Sequence, residues 1–357
     1  MAKVKNMSKD DMLDSLTATL QKQFGKENIG KLSDVDMDVV TIPTGSLKID
    51  EVLGGGIAEG RIVEIYGAES SGKTTLALQI MASVQARDEI GAFIDLEHAF
   101  DPVYAANLGV DVDNLMFSQP TDAETTLDLV EAMANSGLVK LIVLDSVAAL
   151  VPKAELEGDA DTVTIGLLAR LLSKTLKKLV SVASNKKCTV IFINQTRDNI
   201  GVMGYGDKKT TTGGNALKFY SSQRIEAKRI GGIKKGEQDI GNKVNITIKK
   251  NKIAPPFRKA LVEIYFGEGI SKYAEIIDYA IKFDIIDKAG AWFSYNDSKI
   301  GQGMEKTMNT LKDDEALYKE ITNKVLVKIE EEKQAIIDEA AAKKEAREKA
   351  KAEAEND

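Results

Sequence analysis

The stretch GAESSGKTTLALQI, residues 67–80, constrains the fold of this chain more than any other feature. It matches the phosphate-binding pattern G-x-x-x-x-G-K-S/T and lies between a strand-like run, RIVEIY, and a helix-like run, TLALQIMASVQA. Its glycines let successive backbone N–H groups turn toward phosphate oxygens, and the following helix adds its positive N-terminal end. This context predicts a nucleoside triphosphate site rather than a glycine-rich turn that matches by accident.

The residue types within this loop suit separate tasks. The Lys73 ammonium would meet the β- and γ-phosphates, and the Thr74 hydroxyl would ligate Mg²⁺. We therefore expect a nucleoside triphosphate and Mg²⁺ to bind at this loop. The expected nucleotide contacts of the loop are Gly67, Ala68, Glu69, Ser70, Ser71, Gly72, Lys73, Thr74 and Thr75.

Length and composition indicate how many domains the chain has and what class of protein it belongs to. A chain of 357 residues suggests two or three domains, and 43% hydrophobic with 29% charged residues is typical of a soluble globular protein. We expect no membrane span, because no run of about 18 apolar residues is present. The start, MAKVKNMSKDDM, lacks the apolar core of a secretion signal. With Cys188 as the single cysteine, no internal disulfide can form, and we expect a cytoplasmic protein.

The charge of the chain is unevenly distributed. The formal net charge is −7, but residues 197–259 contain fifteen Lys or Arg against five Asp or Glu, a surplus of +10 that leaves −17 for the rest. A basic segment on an acidic chain is typical of a surface that binds polyanions, and it equally fits a solvated charged face. Charge alone leaves both interpretations open.

Three more strand-like runs follow the phosphate loop, and polar residues come directly after each. Residues 92–95, 141–144 and 189–193 are largely apolar and alternate with helix-like stretches such as 122–134 and 166–182. Such strands form a parallel sheet covered on both faces, and ligands bind at the carboxyl ends of the strands. The polar residues expected at that edge are Asp95, Glu97, His98, Asp145, Ser146, Asn194 and Gln195.

We predict an α/β fold: a P-loop NTPase core with a mostly parallel sheet covered by helices on both faces, an N-terminal helix and a small α/β C-terminal domain. The first helix, capped by Ser8, packs either on its own domain or on a neighbouring copy. The predicted divisions are an N-terminal oligomerisation helix and linker (1–35), an ATPase core (36–270), a C-terminal α/β domain (271–328) and a charged helical tail (329–357).

Two glycine-rich interruptions lie in the core, at residues 157–166 and 195–214. The second has no clear periodicity and exceeds the usual length of a connection, so it is either functional or disordered. It begins where the third strand reaches the expected ligand-binding edge. We therefore favour a functional loop.

A family resemblance is carried by strings along nearly the whole chain. In order they are QKQFGK, GRIVEIYGAESSGKTT, LEHAFDPVYA, DSVAALVPKAELEG, IFINQTR, TTTGGNALKFY, KNKIAPPF, KAGAWFSY and KIGQG. Together they resemble the bacterial RecA recombinases. The resemblance implies an ATP-dependent helical filament on single-stranded DNA, which pairs with homologous double-stranded DNA, exchanges strands and promotes self-cleavage of the repressor of the SOS (DNA-damage) response. The implied partners are both forms of DNA, further copies of the chain and that repressor, with no membrane.

The resemblance also implies roles at the nucleotide. Glu97 matches the carboxylate that orients or deprotonates the attacking water, and a strand-end carboxylate near the γ-phosphate suits that role. Asp145 matches the second nucleotide-binding motif and would hold Mg²⁺. Asp101 and Tyr104 match adenine contacts, although spacing alone favours a core position for Tyr104. Gln195 matches the γ-phosphate sensor, from which ATP could order the following loop.

Further roles concern neighbouring subunits and DNA. Lys250 and Lys252 match lysines that reach the ATP of an adjacent subunit, where they would act as an arginine finger does. Phe219 and Lys218 match the subunit interface. The loops match DNA-binding loops, with cations for phosphates and apolar wedges for bases. The expected DNA contacts are Ile165, Arg170, Arg197, Met203, Lys208, Lys209, Thr211, Gly213 and Gly214.

The sequence departs from the family pattern in two places. Asp198 and Asn199 follow Arg197 where apolar and basic residues are usual, and the tail carries mixed charge instead of a mostly acidic run. Two other interpretations stay open: a filament-forming scaffold or repressor-cleavage cofactor in which ATP only switches assembly, and a hexameric helicase or unrelated ATPase with the same core. The TTTGG and KNK strings speak against a ring helicase, which would more naturally use an arginine finger.

Overall fold

The computed structural model describes residues 8–26, 28–34, 39–158, 166–198 and 209–354. The chain divides into two compact units, Met1–Val40 and Thr41–Asp357. The first unit contains helix α1 (Lys9–Phe24), which begins as the sequence predicts. Ser8 caps it by accepting from the Asp11 N–H, and the Asp11 carboxylate in turn accepts from the Ser8 N–H.

The second unit holds the remaining elements. Its helices are α2 (Leu47–Leu53), α3 (Lys73–Gln85), α4 (Pro102–Asn107), α5 (Ala123–Ser136), α6 (Lys153–Leu156), α7 (Leu167–Lys186), α8 (Ala216–Tyr220), α9 (Lys272–Lys282), α10 (Met304–Asp313) and α11 (Glu315–Ala354). Its strands are β1 (Thr41–Ile42), β2 (Ile57–Ala58), β3 (Ile62–Gly67), β4 (Ile90–Asp95), β5 (Met116–Ser118), β6 (Val139–Asp145), β7 (Thr189–Asp198), β8 (Lys209–Thr211), β9 (Gln223–Lys235), β10 (Gln238–Asn251), β11 (Lys259–Tyr265), β12 (Gly269–Ile270), β13 (Asp287–Ala289), β14 (Trp292–Tyr295) and β15 (Ser298–Gln302).

The main sheet has the strand order β12-β11-β10-β9-β3-β7-β6-β4-β5, with β8 attached to β7. The pairs from β9 through β3, β7, β6 and β4 to β5 are parallel, and the pairs among β9, β10, β11 and β12 are antiparallel. Strand β3, which leads into the phosphate loop, therefore lies between β7 and β9. The predicted, mostly parallel sheet is confirmed.

Hydrophobic side chains cover both faces of this sheet. Along β6, Leu141 and Val143 belong to one buried cluster, which also contains residues of α3. The intervening Ile142 and Leu144 belong to a second cluster, which contains residues of α5 and α7. This alternation follows from the opposite directions of successive side chains in a strand.

A third hydrophobic cluster joins α9, α10, α11 and the β13–β15 sheet. The string WFSYNDSKIG predicts a hairpin that turns at Asn296 and Asp297, and the structure has this hairpin: the two residues join β14 and β15 with positive φ, 47° and 61°. This left-handed backbone at two successive residues is the geometry that short hairpin turns favour.

The antiparallel part of the main sheet extends further than the sequence suggests. We predict strands over 223–230 and 243–248, whereas β9 and β10 form a long hairpin with three register irregularities. Glycines and lysines near its tip hide the strand pattern, because neither residue type favours a strand by itself. Within the described ranges, no helix is long and apolar enough to cross a membrane.

Candidate functional site

The phosphate loop leaves β3 at Gly67 and enters α3 at Lys73. Gly72 precedes the helix with a left-handed φ of 83°, and Ser70 also has a positive φ, 55°. A Cβ atom at Gly67 would overlap the carbonyl oxygen of Ala227 on β9. The loop therefore depends on glycine for its turn and for its close approach to a neighbouring strand.

The Lys73 side chain lies back across this loop. Its Nζ donates to the carbonyl oxygen of Ala68 at 2.7 Å, and the Ser71 hydroxyl donates to the same oxygen at 2.8 Å. Burial lowers the pKa of Lys73, and the carboxylates of Asp145 and Glu97 oppose that shift. The ammonium thus has a low-dielectric setting in which its attraction for a phosphate would be strong.

Thr74 and Asp145 bring the ends of two elements together. The Thr74 hydroxyl donates to Oδ2 of Asp145 at 2.6 Å, which joins the first turn of α3 to the end of β6. Burial raises the pKa of Asp145 to about 6, and the Thr74 hydrogen bond and the Lys73 charge limit the rise. A cation placed beside this carboxyl would favour its charged form.

This pair fits Mg²⁺. Mg²⁺ is commonly held by one or two protein oxygens together with water and substrate phosphates rather than by an all-protein cage. The described residues contain no group of three or more His, Cys, Asp or Glu that could hold a metal by themselves. A hydroxyl and one buried carboxylate beside a phosphate loop are the donor set that such a shared site requires.

Glu97 meets side chains from two other strands. Its Oε1 accepts from the Ser146 hydroxyl at 2.5 Å and from Nε2 of Gln195 at 2.9 Å. Ser146 follows β6 and Gln195 lies on β7, so the predicted convergence at the carboxyl ends of the strands is present. The exposed Glu97 carboxylate stands where a water molecule could reach it.

Of the two predicted adenine contacts, Asp101 directly precedes α4 and Tyr104 lies on it. Asp101 caps this helix by accepting from the N–H groups of Val103 and Tyr104 at 2.9 and 3.0 Å. The hydroxyls of Tyr104 and Thr75 are 2.8 Å apart, and burial raises the pKa of Tyr104. Asp101 therefore has a structural task in this structure, and Tyr104 is tied to the loop by its hydroxyl.

Behind Gln195 lies a buried polar network. Nδ2 of Asn194 donates to Oε1 of Glu64 and to the carbonyl oxygen of Thr212, both at 3.0 Å. The other oxygen of Glu64 accepts from Nε of Arg224 at 2.5 Å, and Glu64 has no exposed surface. Strand β7 is thereby joined to β3, to β9 and to the segment that follows β8.

The proposed subunit-interface residues form a second group. Nζ of Lys250 donates to the carbonyl oxygens of Lys218 and Phe219 at 2.8 and 2.9 Å, at the end of α8. Burial lowers the pKa of Lys250, and the charges of Lys252 and Arg224 lower it further. The Phe219 ring is 73% exposed, and Lys252 is exposed as well. Lys250 is thus bound to the end of α8, and the charge of Lys252 lies close to it.

Only part of the predicted DNA loops is described. Ile165, Met203 and Lys208 lie outside the described residues, and for Arg197 and Lys209 only the backbone, in β7 and β8, is described. Arg170 is exposed in the first turn of α7, with Nε 3.4 Å from the carbonyl oxygen of Gly166.

The end of the second loop packs on helix α7. Cβ atoms at Gly213 and Gly214 would crowd Leu172 and Ala169, and both glycines have positive φ, 86° and 75°. Thr211 is buried, and its hydroxyl has no hydrogen-bond partner among the described residues.

Sequence reasoning assigned no role to several residues of the site. Ser146 and Asn194 were expected at the sheet edge without a task, and the Glu64–Arg224 pair was not anticipated. Glu64 occupies an otherwise apolar strand, RIVEIY, and a charge at a position buried on both sides is the signal that could have identified it.

Comparisons with known proteins cover nearly all of the chain. The family model described as "RecA N-terminal domain" matches residues 11–271, and the one described as "RecA C-terminal domain" matches residues 274–330. Protein RecA of Sulfurimonas denitrificans and Protein RecA of Nitratiruptor sp. are each 55% identical over 320 residues, which are 89% of this chain and 93% of the relative. Protein RecA of Helicobacter hepaticus is 54% identical over 308 residues, 86% of this chain and 89% of the relative.

Solved structures give a more distant likeness. The crystal structure of the RadB recombinase overlaps 64% of this chain and 98% of its own, with 23% identity and a TM-score of 0.49. The sequence relatives, not this partial overlap, establish the kinship.

Proposed function

The chain belongs to the RecA family, and from this we propose that it assembles as a helical filament on single-stranded DNA, pairs that strand with homologous double-stranded DNA and exchanges strands. Proteins of this family are DNA-dependent ATPases that act in recombination and repair. We further propose ATP with Mg²⁺ as its cofactors and the cytoplasm as its location. Self-cleavage of an SOS repressor on the filament is part of the same proposal.

The observation that carries the proposal is the convergence of four side chains from three parts of the chain: α3, the end of β6 and the segment after β4. Lys73 and Thr74 begin α3, Asp145 ends β6, and Glu97 receives hydrogen bonds from Ser146 and Gln195. Phosphoryl transfer to water needs mainly positioning and charge stabilisation, which such an arrangement can supply.

We assign each side chain a separate task. Lys73 binds the phosphates, and Thr74 with Asp145 holds Mg²⁺, which would neutralise phosphate charge when bound. Both described hydrogen bonds to Glu97 fall on Oε1, so Oε2 is the atom that we assign to the attacking water. Gln195 reports the state of the nucleotide through β7 to the DNA loop.

The lysines support assembly as a condition for turnover. Lys250 donates to the carbonyl oxygens of Lys218 and Phe219 at the end of α8, and Lys252 comes just after the end of β10. We propose that Lys250 and Lys252 complete the nucleotide site of an adjacent subunit. Residues of the two glycine-rich loops would bind DNA mainly through phosphates.

The test measures ATP hydrolysis with and without a single-stranded oligonucleotide, followed by a strand-exchange assay. We expect strong stimulation by DNA in the wild type and none in Lys73→Ala. Lys319→Ala, an exposed lysine paired with Glu315 on its own helix, serves as the control and should behave as the wild type does. ATP binding without DNA stimulation would instead favour a scaffold that uses nucleotide only to assemble.

A further inference from the structure

Asp95 is a buried carboxylate beside the nucleotide site that has no role in the scheme above. It is the last residue of β4 and only 2% exposed. A buried charge of this kind is costly unless hydrogen bonds satisfy it. The contacts of Asp95 therefore indicate what the residue does.

Three donors satisfy the Asp95 carboxylate. Oδ1 accepts from the backbone N–H of Glu97 at 3.1 Å, and Oδ2 accepts from the backbone N–H of Phe100 at 3.1 Å. Nε2 of Gln119, which follows the edge strand β5, also donates to Oδ2 at 3.1 Å. Each oxygen therefore has at least one donor from the protein, so hydrogen bonds satisfy the buried carboxylate.

These contacts fix both ends of the short segment 97–100, which follows β4 and begins with Glu97. The bond from the Glu97 N–H makes a tight turn directly after β4, and the bond from the Phe100 N–H fastens the other end of the same segment. Between them His98 has a left-handed φ of 54°. The backbone N–H of Leu96 donates to the carbonyl oxygen of Asp145 at 2.7 Å, so the segment is also fixed to β6.

Packing holds the far side of the segment. The Phe100 ring lies 5.1 Å from the Phe93 ring and 4.9 Å from the Phe117 ring, centroid to centroid. Phe100 and Gln119 also line a cavity of about 400 Å³ next to β5. Glu97 is thus held at two points. Ser146 and Gln195 donate hydrogen bonds to its carboxylate, and its backbone N–H donates to Asp95.

We propose that Asp95 is a positioning residue for hydrolysis, which fixes the backbone of Glu97 so that its carboxylate meets the attacking water. This inference rests on the proposed function, because it acts only through the role assigned to Glu97. Asparagine at position 95 offers one acceptor oxygen instead of two, so it cannot hold Glu97, Phe100 and Gln119 as aspartate does.

The experiment compares full-length wild type, Asp95→Asn and Gln119→Ala in DNA-stimulated ATP hydrolysis. We expect Asp95→Asn to lower kcat by about tenfold to 10²-fold with little change in the KM for ATP, because a small misplacement of a reacting group has effects of that size. Gln119→Ala, which removes one of the three donors from an exposed side chain, should lower kcat less. Asp111→Asn, the same substitution at an exposed aspartate that closes another turn, is the control.

A second readout follows the backbone directly. Amide hydrogen exchange of a peptide covering residues 96–101 should be several-fold faster in Asp95→Asn, and that of the phosphate loop should be unchanged. Unchanged kcat and exchange in either Asp95→Asn or Gln119→Ala would overturn the inference, and so would an equal loss of ATP affinity and kcat. Glu97→Gln separates this inference from the proposed function. If Glu97→Gln hydrolyses ATP at the wild-type rate, the role assigned to Glu97 in the proposed function is wrong. If Glu97→Gln is inactive and Asp95→Asn hydrolyses ATP at the wild-type rate, only the role of Asp95 is wrong.

Discussion

Nε2 of Gln195 donates a hydrogen bond to Oε1 of Glu97 at 2.9 Å. The bond joins the strand that continues toward the second glycine-rich loop to the side chain assigned to the attacking water. Anything that moves one of these groups must move or break its contact with the other. This contact would directly link the second glycine-rich loop to the proposed site of hydrolysis.

Gln195→Ala should uncouple DNA from hydrolysis. The variant keeps Lys73, Thr74 and Asp145, so ATP should bind as it does to the wild type, and the slow DNA-independent hydrolysis should persist. The ratio of hydrolysis rates with and without oligonucleotide should fall toward one, because the loop no longer contacts Glu97. Gln334→Ala, at an exposed glutamine of α11, should leave this ratio unchanged. A full DNA response in Gln195→Ala would remove the glutamine from the pathway.

Lys250→Ala and Glu97→Ala should rescue each other when they are mixed. Each protein alone should be inactive, but a filament of both contains junctions in which an intact Glu97 meets an intact Lys250 from the neighbour. Loss of such a cation in trans typically costs about 10³- to 10⁵-fold, so even partial recovery is measurable. Hydrolysis is followed as the ratio of the two proteins is varied. No recovery at any ratio would contradict a site shared between subunits.

Replacing Arg197, Lys208 and Lys209 with alanine should weaken DNA binding and flatten its salt dependence. For single strands the slope of log affinity against log salt changes by about 0.7 per phosphate contact, so three lost contacts should reduce it by about 2. Binding of a labelled oligonucleotide is measured across a salt series. A control that removes three lysines paired with glutamates on α11, Lys319, Lys328 and Lys333, should keep the wild-type slope.

Glu275→Gln should stabilise the protein more at high pH than at low pH. Burial raises the pKa of Glu275 from its ordinary 4.5 to about 7, although it accepts from the Ser46 hydroxyl at 2.5 Å and from the Leu47 N–H at 2.9 Å. The folded state therefore holds this proton more tightly than the unfolded chain does. The resulting stability is complete below pH 4.5 and is lost as the pH rises through 7, whereas the variant has no such dependence.

The free energy of unfolding of the variant relative to wild type should therefore rise by about 3 kcal/mol between pH 4.5 and pH 8. Urea denaturation at several pH values measures it. Glu330→Gln, at an exposed glutamate of α11, should show a difference that does not vary with pH. A pH-independent difference for Glu275→Gln would mean that the buried carboxyl ionises without cost.

The parts of this fold that local chemistry dictates could be predicted from the sequence. The phosphate loop needs glycines and a lysine at set spacings. The apolar runs that lead into Asp95, Asp145 and Asn194 are typical of strands at the centre of a sheet that is covered on both faces. Turns at Asn296 and Asp297 follow from residues that tolerate a left-handed backbone.

Other parts depend on contacts between distant residues, which spacing does not encode. Ser146 and Gln195 donate to the same oxygen of Glu97 because β7, β6 and β4 are adjacent strands in the sheet. Likewise, Glu64 is paired with a residue 160 positions away. Lys250 lies opposite Arg224 because the register of the β9–β10 pair shifts at irregularities along the two strands. No local sequence pattern predicts where such bulges occur.

The lack of room for a Cβ atom between Gly67 and Ala227 has a practical consequence for mutagenesis. An alanine there would push on β9, the strand that also carries Arg224, and the damage would spread beyond the nucleotide pocket. A variant at Gly67 would therefore act as a folding lesion, whereas one at Lys73 would remove a phosphate-binding cation and leave the packing of β3 against β9 unchanged. To disable the nucleotide pocket without disturbing the sheet, the lysine is therefore the residue to replace.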